Sequence, residues 1–477
     1  MTNTTYKATS SFSALSYPYY IWILFLFIFL IVQTGCAPRL QDVNAPIPEP
    51  KEFTQSGTDS IPVKWWTTFQ DPTLNRVVKQ ALESNLQLAG NWQQFKASLA
   101  SVKREKSFLW PEIDATVRTA ISRPEPDFAG GENLRAGLSA SYEIDLWGRI
   151  SSGIQAEKFR AKASYFDFQA AAMTLSAETA ITWYQLVTTR KQLELINQQI
   201  KTNEDIVRLI RARFTGGQIR AVDILRQEQL LESTKDQKIF YETRIGLLQN
   251  QLSVMLGRPP QNETIFPGDS LPVLPSLPET GLPLELIRRR PDVQQSYNLV
   301  LAADRDMAQA IRNKYPRISL NLEGQLRSNN YNSLFQDWAY TLAGNIVAPL
   351  IYGGRLQAEV DQSEALKNQA LFDYGQTVLI SFREVEDALI REQKQRERIK
   401  VLERRLELVK KTSDQLRIEF LNGLSDYLDV LLQLDKQQQL QRDMIEAKQT
   451  LIEIRISLYR ALAGDFGHEP PENFQAN

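Results

Sequence analysis

The chain states the same plan twice, about 205 residues apart. Leu146-Trp147-Gly148-Arg149 recurs as Tyr352-Gly353-Gly354-Arg355, an offset of 206 residues. At that offset Phe214 falls on Phe420, Gly217 on Gly423, Asp223 on Asp429, Leu225 on Leu431 and Leu256 on Leu462. Upstream, at an offset of 205, Trp110-Pro111-Glu112-Ile113 meets Tyr315-Pro316-Arg317-Ile318. A period this long is no short solenoid repeat. It is a whole module duplicated in tandem, and each local reading can be checked against its second copy.

The composition removes most catalytic chemistry. His468 and Cys36 are the single histidine and the single cysteine, so a disulfide within the chain is impossible. A zinc site or a Ser-His-Asp triad would have to use His468, because both lean on histidine. With 55 basic and 56 acidic residues the net charge is −1, which steers the protein toward no nucleic acid. The expectation is a protein that is not an enzyme and holds neither a cofactor nor a metal.

The N-terminus reads as an address. Tyr20 to Val32 is unbroken apolar sequence, short for a transmembrane helix and suited to the core of a signal peptide. It ends in Gln33-Thr34-Gly35-Cys36, which resembles a bacterial lipobox; the favoured reading makes Cys36 the lipidated N-terminus, and the alternative is that Cys36 merely follows an uncleaved anchor. Ala37 after the cysteine, by resemblance to the enterobacterial sorting rule, favours the outer membrane. The proline-bearing stretch that follows reads as an extended tether.

Beyond the tether the hydrophobic period changes in order. Asp71-Pro72 is an N-cap with proline at the first helical position, and one helix is expected from there to about Phe108. Past Pro111 the period falls to two. Ile113, Ala115, Val117, Thr119 and Ile121 alternate with polar neighbours, and so do Leu134 through Leu146. The second copy repeats the pair with Ile318, Leu320, Leu322 and Leu326, then Trp338, Tyr340, Leu342, Ile346, Ala348 and Leu350. Four strands in two hairpins, apolar on one face and charged on the other, suit a membrane barrel wall. Open sheet edges do not exist in lipid, and a closed barrel needs about eight strands, so several chains must share one barrel.

Each second strand runs through Gly148 or Gly353-Gly354 into a long proline-free stretch, Arg149 to Phe214 and Arg355 to Phe420. Apolar residues keep heptad spacing near the far ends: Leu193, Ile196, Ile200, Val207, Ile210 and Phe214, then Leu402, Leu406, Val409, Leu416 and Phe420. Gly216-Gly217 and Asn422-Gly423 break the helices, and shorter helices return, the pattern of an antiparallel coiled-coil hairpin. The expected plan is a leader (1–35), a lipid-anchored tether (36–64), a first repeat (65–258), a proline-rich linker (259–283), a second repeat (284–464) and a tail (465–477).

These residues resemble the TolC family of outer-membrane efflux proteins, in particular its lipoprotein branch of NodT and OprM-like proteins. The matching stretches include Trp65-Trp66 to Asp71-Pro72, Ala81 to Asn85, Tyr142 to Arg149, Arg290 to Val293, Pro349 to Arg355 and Phe382 to Leu389. The resemblance implies a homotrimer in which three times four strands make one twelve-stranded barrel, continued by a coiled-coil helical tunnel in the periplasm of a Gram-negative cell. It implies partners too: a periplasmic adaptor protein, an inner-membrane transporter of the resistance-nodulation-division type, and outer-membrane lipid. The function it implies is the exit duct of a tripartite efflux pump for small molecules. A type I protein-secretion duct stands beside it, and a lipid-anchored periplasmic coiled-coil scaffold without a pore is the reading from another class.

In such a duct the hairpin turns lie farthest from the barrel and are the candidate gate. On the family pattern Asp429, with Asp426 and Phe420 nearby, belongs to the closing ring of the second hairpin, while Leu432 stands where many relatives carry a further acid. Two readings stand for Asp429. It is a gate carboxylate, or it sits in the first turn of the return helix, where carboxylates meet the helix dipole favourably. Asp223 and Asp426 are read as helix-start residues, and Gly217 and Gly423 as the tip turns. Gly148, Arg149, Gly354 and Arg355 are read as the strand-to-helix elbows, structural in role. Arg211, Arg213 and Arg220 either solvate the first tip or dock an adaptor.

Overall fold

The computed structural model describes residues 45–48, 51–58, 62–121, 132–260, 271–281, 283–328, 335–336 and 338–462. The leader, Cys36 and the tail with His468 lie outside the described residues.

A short 3-10 turn, Trp65–Phe69, leads into helix α1 (Pro72–Ser84). The Asp71 carboxylate caps α1, accepting the N–H groups of Thr73 and Leu74 at 2.9 and 3.0 Å. The single helix expected up to Phe108 is interrupted, and α2 spans Leu86–Ser107. Asn85 causes the break. Its backbone is extended (φ −69°, ψ 123°), its Oδ1 accepts the Leu88 N–H, and its Nδ2 donates to the Met255 carbonyl. One asparagine thus starts a helix and satisfies the end of another, a long-range partnership that helix periodicity does not reveal.

The duplication survives in the geometry. After strands β1 (Glu112–Ile121) and β2 (Glu132–Ile144), α3 spans Arg149–Thr215 and α4 Ala221–Met255. In the second copy α5 (Pro283–Arg289) and α6 (Pro291–Arg312) precede β3 (Arg317–Ser328) and β4 (Trp338–Val347). Then come α7 (Arg355–Leu421) and α8 (Tyr427–Leu462). Helices α2 and α6 each have 22 residues, and α3 and α7 each have 67. At 1.5 Å per residue the long pair extend about 100 Å.

Helix α3 is the spine. Near the strands it packs on α2 and α6, and toward its far end on α4 and α8. The α6 contacts run antiparallel: Arg312 donates to the Gly148 carbonyl, Arg305 to Gln155, and Arg160 pairs with Asp306. At mid-height the chain builds its main core, where Trp65, Phe69, Leu74, Phe168, Trp183, Tyr184 and Tyr459 are buried together. Trp183 Nε1 donates to Asp71 at 2.8 Å, tying the α1 cap to the spine.

The four strands form one antiparallel sheet in the order β1-β2-β3-β4. The two hairpins are those expected, and the β2–β3 pairing joins the copies edge to edge. Among the described residues β1 and β4 keep their outer edges unpaired.

Parts of the tether and of the linker are docked on the helices. Thr54 bonds the Glu386 carboxylate through its N–H and hydroxyl, and Gln55 donates to Gln393, which lays part of the tether along α7. Within the linker, Thr280 bonds Gln55 and Ser56, and Arg455 holds the Pro275 and Ser276 carbonyls at 2.9 Å. Side chains of α7 and α8 (Glu386, Gln393 and Arg455) meet polar groups of the tether and linker in these bonds, so a proline-rich composition does not imply a loose strand.

Candidate functional site

The register aligns the side chains into two unlike faces. Ala115 lies opposite Leu138, Leu138 opposite Gly324, and Gly324 opposite Tyr340. Ala140, Leu322 and Leu342 form the next row of that face toward the helices. On the other face Asp114, Ser139, Glu323 and Thr341 stand in one row, with Ser141, Asn321 and Ala343 in the neighbouring one. The apolar face is left bare: Val117 is 78 % exposed, Leu342 70 % and Ile346 72 %. A contiguous patch of this kind marks a lipid or protein contact. No described helix is long and apolar enough to cross a membrane, so the strands carry the only apolar belt of membrane type among the described residues.

The two elbows share a backbone and differ in side chains. Gly148 and Gly354 each precede a 67-residue helix with φ of 76° and 84°, which glycine adopts without a Cβ penalty. At the first elbow Asp145 accepts the N–H groups of Ile150 and Ser151, and Arg149 pairs with Glu143 at 2.9 Å. That pair offsets the cost of a cation beside the positive end of a helix. Trp147 donates to the Pro316 carbonyl and stacks on Tyr315 at 5.4 Å. At the second elbow Arg355 lies over the Tyr352 ring and reaches Glu359 only at 4.0 Å. All four residues stand at the turn from strand to helix.

The tips turn identically. Gly217 and Gly423 take φ of 71° and 76°. The Gln218 N–H returns to the Arg213 carbonyl, and the Leu424 N–H to Glu419, closing each helix with the same left-handed cap. Their charges differ. In the first tip Asp223 is buried and paired with both Arg220, at 3.2 Å, and Arg226, at 3.5 Å. The Asp223 hydrogen bond and charge hold the Arg220 guanidinium above its ordinary value, with Asp426 adding to the effect. At the repeat offset Arg220 becomes Asp426 and Arg226 becomes Leu432. Both neutralising arginines are therefore lost in the second tip.

Asp429 is accordingly exposed, and only the Ser425 hydroxyl, at 3.4 Å, bonds its carboxylate among the described residues. Its N–H bonds the Asp426 carbonyl, placing it in the first turn of α8, with Asp426 just outside the helix and exposed. Phe420 is half-buried, edge-on to Tyr427 at 5.4 Å and beneath the Arg213 guanidinium at 5.3 Å. It packs with the small cluster of Ile210, Tyr427 and Leu431. Arg211 pairs with Glu228. Each of the three first-tip arginines is thus engaged within the tips.

Sequence periodicity overlooked a polar seam. Gln192, Gln199 and Asn203 are buried on α3 in phase with Ile196, Val207 and Ile210. Gln192 donates to the Arg442 carbonyl, Arg442 to Gln199, and Asn203 exchanges amide bonds with Gln438. Farther down, the buried Tyr427 hydroxyl donates to Gln227 at 2.6 Å, linking one tip to the other. Burial pushes the Tyr427 phenol well above its usual range, with the Asp223 charge adding to it, so it stays a neutral donor. Heptad spacing of the glutamines was the available signal, obscured because amides count as surface residues in any hydrophobic pattern.

Comparison with known proteins agrees with this architecture. The outer membrane efflux protein family matches residues 77–258 and 282–464, the two copies of the repeat. The pyoverdine export outer membrane protein OpmQ of Pseudomonas aeruginosa is 26 % identical over 459 residues, covering 91 % of this chain and 94 % of that protein. The cation efflux system protein CusC of Escherichia coli is 24 % identical, covering 90 % and 96 %. Among solved structures, the outer-membrane channel OprN superposes with a TM-score of 0.83 at 23 % identity, covering 89 % of this chain and 99 % of that one.

Proposed function

Since the chain belongs to the outer membrane efflux protein family, we propose that it is the exit duct of a tripartite pump that carries small molecules out of the cell. Three copies place their sheets side by side, β4 of one beside β1 of the next, and close a twelve-stranded barrel. The observation that carries this reading is the sheet itself: bare apolar on one face, polar on the other, and open at both edges. Such a sheet is stable in lipid only when its edges are paired. The polar face then lines a water-filled bore, and the helices continue that bore into the periplasm.

Transport through this duct is conduction and needs no catalytic group. Cys36 carries the acyl anchor, so that each trimer adds three lipid anchors to the barrel; one acyl chain alone binds a membrane only marginally. A periplasmic adaptor and an inner-membrane transporter complete the pump at the hairpin tips. The second tip is the gate, with three copies of Asp429 and Asp426 drawn around one axis, where like charges repel and a cation relieves them. Phe420, fixed between Tyr427 and Arg213, sets the shape of that turn. Relatives named for pyoverdine and for cations span unlike cargoes, so the duct itself is permissive and the inner-membrane partner selects.

Deleting the gene and measuring accumulation of fluorescent dyes and toxic small molecules tests this reading. Accumulation should rise and be restored by the full chain. Unchanged accumulation together with retention of a secreted protein would instead make it a protein-secretion duct.

A further inference from the structure

On the polar face of the sheet the arginines nearest the hairpin loops share one cross-strand row. Going from the helices toward the hairpin loops, Asp114, Ser139 and Glu323 stand in one cross-strand row. Thr116, Gly137 and Gln325 follow without charge. The next row is Arg118, Arg135 and Arg327, directly opposite one another on three adjacent strands. All three are exposed. Among the described residues none has an ion-pair or hydrogen-bond partner.

That row is unfavourable by itself. Neighbouring strands hold opposed residues about 5 Å apart at Cα, and like charges facing each other there destabilise the pair. Guanidinium cannot relieve the repulsion by losing its proton. The nearest described carboxylates of this face, Asp114 and Glu323, are four residues down their strands, about 14 Å away. That is beyond the roughly 8 Å screening length of physiological salt. The row is no relic of the duplication either: at the 205-residue offset Arg118 meets Glu323 and Arg327 meets Ser122. Among the described residues no carboxylate neutralises the row, which leaves it open to an anion from solution.

We propose that Arg118, Arg135 and Arg327 form an anion-binding belt at the loop end of the strand wall. Its ligand class is the multivalent oxyanion, phosphate or polycarboxylate, which pairs with planar guanidinium groups in two-pronged contacts. The belt rests on the exit-duct reading, in which the polar face lines the bore, so that three such rows circle its outer mouth. There it draws anionic solutes outward and makes the last stretch of the bore prefer anions. A lipid phosphate is the other source of the same chemistry, and the apolar face, on the opposite side of the sheet, is the one that meets lipid.

The test uses the full-length assembled protein in planar bilayers of uncharged phosphatidylcholine. Under a potassium chloride gradient the reversal potential of the wild type should lie closer to the chloride side than that of a variant without the belt arginines. Sodium tripolyphosphate added at the loop side should block at lower concentration than at the tip side. The triple change Arg118→Gln, Arg135→Gln, Arg327→Gln should weaken that block roughly tenfold, the loss of three exposed ionic contacts, while the triple change to Lys should keep most of it. Should the triple Gln variant fail to assemble, Arg135→Gln alone should show a partial loss. Unchanged selectivity and block in the Gln variants, or equal block from both sides, would overturn the belt. So would arginines that respond only to anionic lipid. A wild-type protein that forms no pore counts against the duct reading instead. Calorimetric titration of the detergent-solubilised protein with tripolyphosphate then decides the belt: saturable binding lost in the Gln variants supports it, and its absence overturns it.

Discussion

Tyr427 and Gln227, 200 residues apart in sequence, meet through a buried 2.6 Å hydrogen bond that ties the second hairpin tip to the first. Tyr427→Phe removes the donor and leaves the Gln227 oxygen buried without it, a loss of about 1–3 kcal/mol. Because the two tips are joined here, the loss should be local. Amide exchange around residues 214–230 and 420–431 should quicken, and the resting conductance in planar bilayers should rise, with trimer yield unchanged.

The two tip carboxylates should behave in opposite ways. Asp223→Ala strands Arg220 and Arg226 beside a buried site, so it should reduce thermal stability of the tip and leave cation block nearly as it was. Asp429→Ala removes an exposed carboxylate that no arginine neutralises. It should weaken divalent-cation block several-fold without loss of trimer. If Asp429→Ala leaves block and selectivity untouched, its part is limited to the start of α8.

Strand faces are separable by substitution. Arg in place of Leu138 or Leu320 should cost about 2–4 kcal/mol near the bilayer midplane and deplete assembled protein in outer-membrane extracts. Arg in place of Ser139 or Asn321, on the polar face, should be tolerated. Equal damage at both pairs would reverse the assignment of the faces.

The buried Arg455–Glu392 pair holds the mid-height of the molecule together, and Arg455 also grips two linker carbonyls. Glu392→Gln leaves the guanidinium buried with its charge uncompensated, which typically costs about 3–5 kcal/mol. A clear fall in the melting temperature of the purified protein is the expected result, with the linker more open to protease.

What the sequence made legible follows physical period. Strand alternation placed all four strands and both faces, because a residue such as Leu138 must choose between lipid and water. The paired elbows and tips were legible because glycine and proline punctuate both copies. Features resting on polar partnership were hidden. Asn85 splits a helix by bonding Met255, and Asn203 is buried against Gln438, with which it exchanges amide bonds. Neither partner is close in sequence. The docked tether shows the same limit, since Thr54 finds Glu386 across 332 residues. At the candidate gate the offset equating Asp223 with Asp429 was visible, but the exchange of Arg220 for Asp426 acquired meaning only once Asp223 was seen paired.

Lipidation is tested by intact mass of the mature protein. Cys36 should be the first residue and carry acyl groups. Retention of residues before it would remove the anchor, while a Cys36→Ser variant should still insert its barrel.

The most direct test of the shared barrel is disulfide trapping at the open sheet edges. Thr116→Cys on β1 is combined in turn with Ala339→Cys, Thr341→Cys, Ala343→Cys or Asn345→Cys on β4, in a Cys36→Ser background. Within one chain β2 and β3 separate the two strands, so these pairs can bond only between copies. Oxidised outer membranes should yield a closed covalent trimer at one or two neighbouring β4 positions, and none elsewhere. Monomer at every position, with the protein correctly inserted, would contradict a barrel built from three chains.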